Sequence, residues 1–279
     1  MKGHAGQPVR SFADWEKYAL PPQRKVLHWK EGRSAFELGR SWTLSGEPSV
    51  PTELVQLLES HEDTKRTLIK SGITEHETTL PFVNRGPRCH DLVLRAERDG
   101  RVTTICIEGK ADEPFGRTVA EELRKAKQRP ATSFPERLDW LTRSLLGIQA
   151  FKDDEHLVLS DVISGLPYQL FAAIAGTLLE AEIQEAATAV FLVHEFRTTA
   201  TVDTKLQANA DALNSFLRLL HSLNGGPDED VRLRPGEMIG PISFIERPVT
   251  GAKKMPCQIP FFIGKIRTDR LVLNARLLP

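Results

Sequence analysis

The chain has 279 residues and a mass of 31.2 kDa, enough to bury a core without disulfide or metal staples. Its 40% hydrophobic and 27% charged residues, with a mean hydropathy of −0.29, exclude a collagenous or wholly disordered polymer. Lys plus Arg and Asp plus Glu number 37 each, so no global basic field marks a nucleic-acid binder, although a neutral enzyme can still grip nucleic acid through one local groove.

No apolar run reaches the roughly 18 to 20 residues that a membrane span needs. The longest, around Leu170 to Leu179, ends at Glu180, so no membrane partner is expected. The N-terminus lacks the apolar stretch of a secretory signal, and Cys89, Cys106 and Cys257 lack C-x-x-C spacing. The expectation is a cytoplasmic protein with reduced thiols and no structural zinc.

Residues 1–31 are polar, contain Pro21-Pro22 and carry Trp15, Tyr18 and Trp29, the pattern of an arm laid on a body. A core domain is expected over residues 32–223, followed by an extension, 224–279, whose short strands pack on it. Ala35, Phe36, Leu38 and Trp42 put an apolar stripe on a short helix that also carries Glu37, and a second helix follows Pro51 through Leu54, Leu57 and Leu58. Residues 73–83 have the β-branched content of a strand closed by a turn from Asn84 to Pro87. Residues 91–98 and 101–110 flank Asp99-Gly100 and read as a β-hairpin with a two-residue turn.

Helices are predicted over 116–128 and 135–146, then a long one behind Pro167, from Tyr168 to about Gln184. Ala189 to His194 is a continuous apolar run that suits a strand buried on both faces. A helix over 203–223 is stopped by Asn224-Gly225-Gly226, and short strands are predicted at 242–245 and 261–266. A helix and a buried strand after a hairpin predict a mixed α/β sheet flanked by helices.

In a two-residue hairpin at Asp99-Gly100, 98 pairs with 101, 95 with 104 and 91 with 108. Asp91 then lies opposite Glu108, with Cβ atoms about 4.5 to 5.5 Å apart, and Lys110 shares their face. Leu92, Leu94, Ile105 and Ile107 take the other face, and their burial pins the register. Facing carboxylates repel, and a divalent cation between them removes the repulsion, because Mg²⁺ prefers hard oxygen ligands. Lys110 could then stabilise developing negative charge or help activate a water held by the metal. The same residues also suit a solvated sheet face on which Glu108 and Lys110 form a surface ion pair. On spacing alone both readings stand open.

Elsewhere the chemistry is plain. His194-Glu195 is not an H-E-x-x-H pair, and a strand-end histidine is a structural hydrogen-bond partner more often than a ligand. Tyr168 and Phe171 read as core, and Cys106 as small packing. The chain has no phosphate-cradling G-x-x-x-x-G-K-[ST] loop, no G-x-G-x-x-G fingerprint and no G-x-S-x-G elbow.

Asp91 and the later Glu108-Gly109-Lys110, at the end of an apolar strand, resemble the PD-(D/E)XK, or restriction endonuclease-like, nuclease superfamily. Within it the chain is similar to an uncharacterised bacterial family with an EGKxDEPFG motif. That likeness is carried by Ser34-Ala-x-Glu37-Leu, Glu108 through Gly116, Arg137-Leu138, Leu146-Gly147 and Tyr168-Gln169-Leu170, and spans residues 32–197. His90 stands where the superfamily motif has proline.

The resemblance implies an α-β-β-β-α-β core and a metal-dependent endonuclease that hydrolyses phosphodiester bonds, of DNA in the first place, by a metal-activated water. Asp91 and Glu108 would ligate Mg²⁺ or Mn²⁺, Glu37 would complete the metal shell, Lys110 would be the catalytic lysine and Gln169 would sit against the site. Asp112, Glu113 and Arg117 would contact phosphate or metal, or else cap a helix. Nucleic acid is the implied partner, with a homodimer left open. The competing expectations are a non-catalytic nucleic-acid-binding or assembly module on the same fold, and an unrelated α/β protein.

Overall fold

In the computed structural model the described residues are 1–18, 29–82, 86–129, 132–226, 231–245, 249 and 251–270. The hairpin forms as its turn chemistry demands. Strands β2 (Arg88–Arg98) and β3 (Arg101–Lys110) pair antiparallel, with Arg98 opposite Arg101, Arg95 opposite Thr104 and Leu92 opposite Ile107. Asp99 (φ 49°) and Gly100 (φ 76°) both take the left-handed conformation that this turn needs.

Strand β1 (Leu68–Thr78) pairs antiparallel with β2, starting at Leu68 rather than at the predicted Ile73. Leu68 and Ile69 find partners in Glu97 and Ala96, which local sequence cannot reveal. The strand stops short of Pro81, which has no N–H to offer a ladder. Of the predicted turn beyond it, Val83, Asn84 and Arg85 lie outside the described residues.

Strand β6 (Thr188–Arg197) runs parallel to β3, and β8 (Phe261–Asp269) runs parallel to β6. Strand β7 (Glu237–Ile242) closes the far edge antiparallel to β8, giving a six-stranded mixed sheet in the order β1-β2-β3-β6-β8-β7. The prediction put this edge strand at 242–245. Gly240 and Pro241, strand breakers by propensity, are accommodated because β7 is an edge strand, where a missing N–H costs no ladder bond. A small hairpin of β4 (Phe151–Asp153) and β5 (Val158–Leu159) stands apart from the sheet and was not predicted.

Helices cover both faces of the sheet. On one lie α1 (Phe12–Tyr18), α2 (Ser34–Trp42) and α3 (Thr52–Glu59), whose Trp15, Leu38, Trp42 and Leu54 pack on Leu92, Leu94, Ile105, Ile107 and Leu192. This is the apolar hairpin face expected from the register. The other core joins Phe191, Val193 and Ile263 to α4 (Val119–Ala126), α5 (Phe134–Leu146), α7 (Tyr168–Ile183) and α8 (Asp203–Leu223), with the short α6 (Asp161–Ser164) at its margin. Phe171 meets Phe216 edge-on at 4.8 Å, so it is core as predicted. In chain order α1, α2 and α3 precede the three antiparallel strands, and α4, α5, the β4–β5 hairpin and α6 stand between β3 and the buried helix α7, which leads to the parallel strand β6.

The N-terminal arm is laid on the body through β1: Lys2 donates its N–H to Gly72 and accepts from the N–H of Thr74, and Val9 and Trp15 are buried. The C-terminal strands do more than pack on a finished core. Phe261 to Ile266 are buried between β6 and β7, so the sheet is incomplete without them. Among the described residues no helix is long and apolar enough to cross a membrane.

Candidate active site

The ladder between β2 and β3 ends at Leu92 and Ile107, one step before Asp91 and Glu108. Asp91 instead turns its carboxylate onto the next backbone group, Oδ2 accepting the N–H of Gly109 at 2.7 Å. On its other side the β1 pairs Thr74–Leu92 and His76–His90 bracket Glu75, whose φ of 50° is left-handed. A non-glycine residue held there stores on the order of 1 kcal/mol or more, a strain that persists only where surrounding structure dictates it. The sheet is thus opened locally on both sides of Asp91.

Glu108 is 3% exposed and gathers three donors. Its Oε1 accepts from Lys110 Nζ at 2.7 Å and from Gln169 Nε2 at 2.6 Å, and its Oε2 is bound by the guanidinium of Arg88. Burial acts to raise the Glu108 carboxyl, but Lys110 and Arg88 outweigh it and hold the group below its ordinary range. Asp91 is driven the other way, well above its ordinary range, by burial and then by the charges of Glu108 and Glu75. Neighbouring carboxyls pushed in opposite directions are the arrangement from which acid and base roles are drawn.

Asp91, Arg88 and Gln169 line a cavity of about 510 Å³, whose walls also carry Arg117, Lys125, Arg129 and Arg137 against Glu75 and Glu122. Helix α7 delivers Gln169 from its first turn. The helix can lie this close because Gly176 faces β2: a Cβ there would meet His90 Nε2 at 2.8 Å and Arg88 Cγ at 2.9 Å. Its far end is tied to β1 by Glu180, which accepts from His76 at 3.0 Å and Thr78 at 2.9 Å.

The structure thus brings Asp91, Glu108, Lys110 and Gln169 together. Glu37 does not join them. It sits on α2, which packs on the sheet face opposite α7; its Oε1 accepts the N–H of Gly32 at 3.0 Å and its Oε2 lies 3.4 Å from Arg270 Nε. A buried carboxylate goes to the nearest buried cation, and here that is Arg270, just past β8 and beyond the span of the family likeness.

Asp112 and Glu113 serve as clasps. Asp112 pairs with Arg33 at 3.1 Å and Lys205 at 3.3 Å, while the Glu113 carboxylate accepts the N–H groups of Ser34, Ala111 and Asp112. Neither caps a helix, because the next one begins at Val119, behind the reciprocal Thr118–Glu121 capping box. His194 bonds Thr268 Oγ1 at 2.9 Å and Glu195 pairs with Lys265 and Arg267, structural roles for both.

Two side-chain roles escaped sequence reasoning, although Arg137 is itself among the residues that carry the family likeness. Arg88 has no local signal, since its partner lies across the hairpin. Arg137, buried in α5, donates to the carbonyls of Pro81, Phe82 and Gly86 and so holds both ends of the loop entering β2. Its clue was an arginine beside the apolar stripe of Leu138, Leu141 and Leu145.

Residues 8–270 match a family model described as a domain of unknown function, DUF6946. The chain belongs to this family. No curated protein and no solved structure matches it. The DUF6946 span takes in Arg88, Asp91, Glu108, Lys110 and Gln169 and continues through β7 and β8, so site and C-terminal strands fall in one family unit.

Proposed function

We propose that the protein is a divalent-metal-dependent nuclease of the PD-(D/E)XK type, hydrolysing phosphodiester bonds of nucleic acid, DNA in the first instance. The observation that carries this reading is the pair of buried carboxylates, Asp91 and Glu108, with Lys110 and Gln169 bound to Glu108 beside an arginine-walled cavity. The helix, three strands, helix, strand order supports it. Three free thiols suit the cytoplasm, where we place the activity.

The donor set fits a hard cation. Asp91 and Glu108 supply carboxylate oxygens, and the buried Gln169 Oε1 has no hydrogen-bond partner among the described residues. No group of three His, Cys, Asp or Glu side chains forms a ready cage among the described residues, and Mg²⁺ commonly binds through one or two carboxylates together with substrate phosphate. Asp91 and Glu108 would hold the ion. When bound, it supplies a Lewis acid for the phosphate and an acidified water. Lys110 sets a positive charge beside the reacting group, Gln169 fixes the rotamer of Glu108, and Arg117 and Arg129 offer guanidinium groups to flanking phosphates.

The test is incubation of the full chain with circular and linear, single- and double-stranded DNA in Mg²⁺ or Mn²⁺, with EDTA controls. Divalent-dependent cleavage is expected. Glu108, already bound by three donors, also suits a non-catalytic binding module. DNA binding without turnover in any metal would select that reading instead.

A further inference from the structure

Glu108 does not line the cavity, whereas Arg88 and Gln169, both bound to its carboxylate, do. Arg88 opens β2 opposite Thr78 and has its Cγ against α7. Its guanidinium is the partner of Glu108 Oε2, whereas Oε1 is taken by Lys110 and Gln169. Its own Nε is buried without a partner among the described residues. Arg88 lines the cavity beside Asp91, while Glu108 and Lys110 lie behind the lining.

We propose that Arg88 is the site's resident counter-cation: it holds the one oxygen of Glu108 that a divalent ion can take, so metal binding requires the guanidinium to leave Glu108 for the cavity. This rests on the reading of Asp91 and Glu108 as metal ligands. Both positions of the side chain are physically sound. On Glu108 it neutralises a carboxylate that would otherwise be buried beside Asp91 with only Lys110 to balance it. In the cavity it recovers a partner for Nε and presents a planar fork suited to a phosphate. A second cation at Oε2 is repelled by the guanidinium, so each weakens the hold of the other on Glu108.

Metal binding is thus weakened in the resting protein by the strength of the Arg88–Glu108 pair. Titration of Mn²⁺ into the full chain, followed calorimetrically without nucleic acid, tests this in the wild type, Arg88→Gln, Arg88→Lys and Glu108→Gln. Arg88→Gln should bind Mn²⁺ about tenfold tighter or more, Arg88→Lys should stay near wild type, and Glu108→Gln should lose most of its affinity. Equal or weaker binding in Arg88→Gln, with Glu108→Gln impaired, would overturn the role of Arg88 and leave the metal site standing. No Mn²⁺ bound by any of the four would overturn both. Should Arg88→Gln fail to fold, the wild type still decides the matter. Its Arg88 Nε–H resonance, identified by its loss in Arg88→Lys, should move on adding Mg²⁺, and an unmoved resonance while Mg²⁺ binds refutes the exchange.

Discussion

Glu108 is counter-ion to two buried cations, Arg88 and Lys110, as well as the ligand on which the proposed chemistry turns. Glu108→Ala leaves both cations buried and unpaired, a defect that costs about 3 to 5 kcal/mol, whereas Glu108→Gln keeps hydrogen-bonding oxygen and nitrogen in place and should lose less. Urea midpoints of the two variants check the order. Lys110→Ala is the cleaner probe of chemistry, since Glu108 retains Arg88 and Gln169. A second residue-scale prediction concerns acid. Burial, with Arg270 adding to it, holds the His194 imidazole down at about 3, against about 6.5 in an unfolded chain. Between these values the unfolded chain takes up a proton that the folded one refuses, so this stability is present above about pH 6.5 and drains away as pH falls towards 3. His194→Gln should flatten that part of the pH dependence; a slope unchanged from wild type between pH 6.5 and pH 4 would refute the assignment.

Much of the site is legible because a two-residue turn converts directly into register. Once Asp99-Gly100 is recognised, Asp91, Glu108 and Lys110 follow by counting, and the observed pairs at 98–101, 95–104 and 92–107 keep that count. What counting cannot show is that the ladder stops one step early, which frees Asp91 to bind the Gly109 amide. The partners of Arg88, Arg137 and Glu37 are illegible for a common reason: each is remote in sequence, and charge patterns along a chain carry no record of such partners.

Among the elements, α7 and β2 do most to shape the site. Their close approach depends on Gly176, and Gly176→Ala would drive a methyl into His90 and Arg88. We expect a loss of about 1 to 3 kcal/mol of stability, the usual cost of overpacking, read as a lowered melting temperature. Long periodic helices such as α7 and α8 were legible to within a residue or two, because their apolar stripes need no outside information. Strands were less so. The start of β1 depends on β2, and the extent of β7 depends on its edge position, a property of the assembled sheet.

For the whole molecule, the decisive feature is that β8 is an interior strand. Composition after residue 223 predicts short strands packed on the core without saying where; Phe261, Phe262 and Ile263 are fully buried and β6 has β8 as its parallel neighbour. A chain truncated after residue 245 would expose the inner edge of β6 and the apolar faces on both sides of it. It should aggregate or lose its near-ultraviolet circular dichroism, whereas a native-like spectrum would show that residues before it fold alone. The same assembled sheet keeps Glu108 and Lys110 buried behind a cavity walled by arginines, the setting in which a charged group exerts its largest effect.

The central claim, that the carboxylate pair with Lys110 cleaves phosphodiester bonds, is tested most directly by incubating supercoiled plasmid with Mn²⁺ and comparing wild type with Lys110→Ala at matched folding. The account predicts nicking by the wild type that EDTA stops and at least a hundredfold slower nicking by the variant, the lower end of what a positioned charge or proton donor contributes, about 10² to 10⁴. Equal nicking by the two proteins would contradict it.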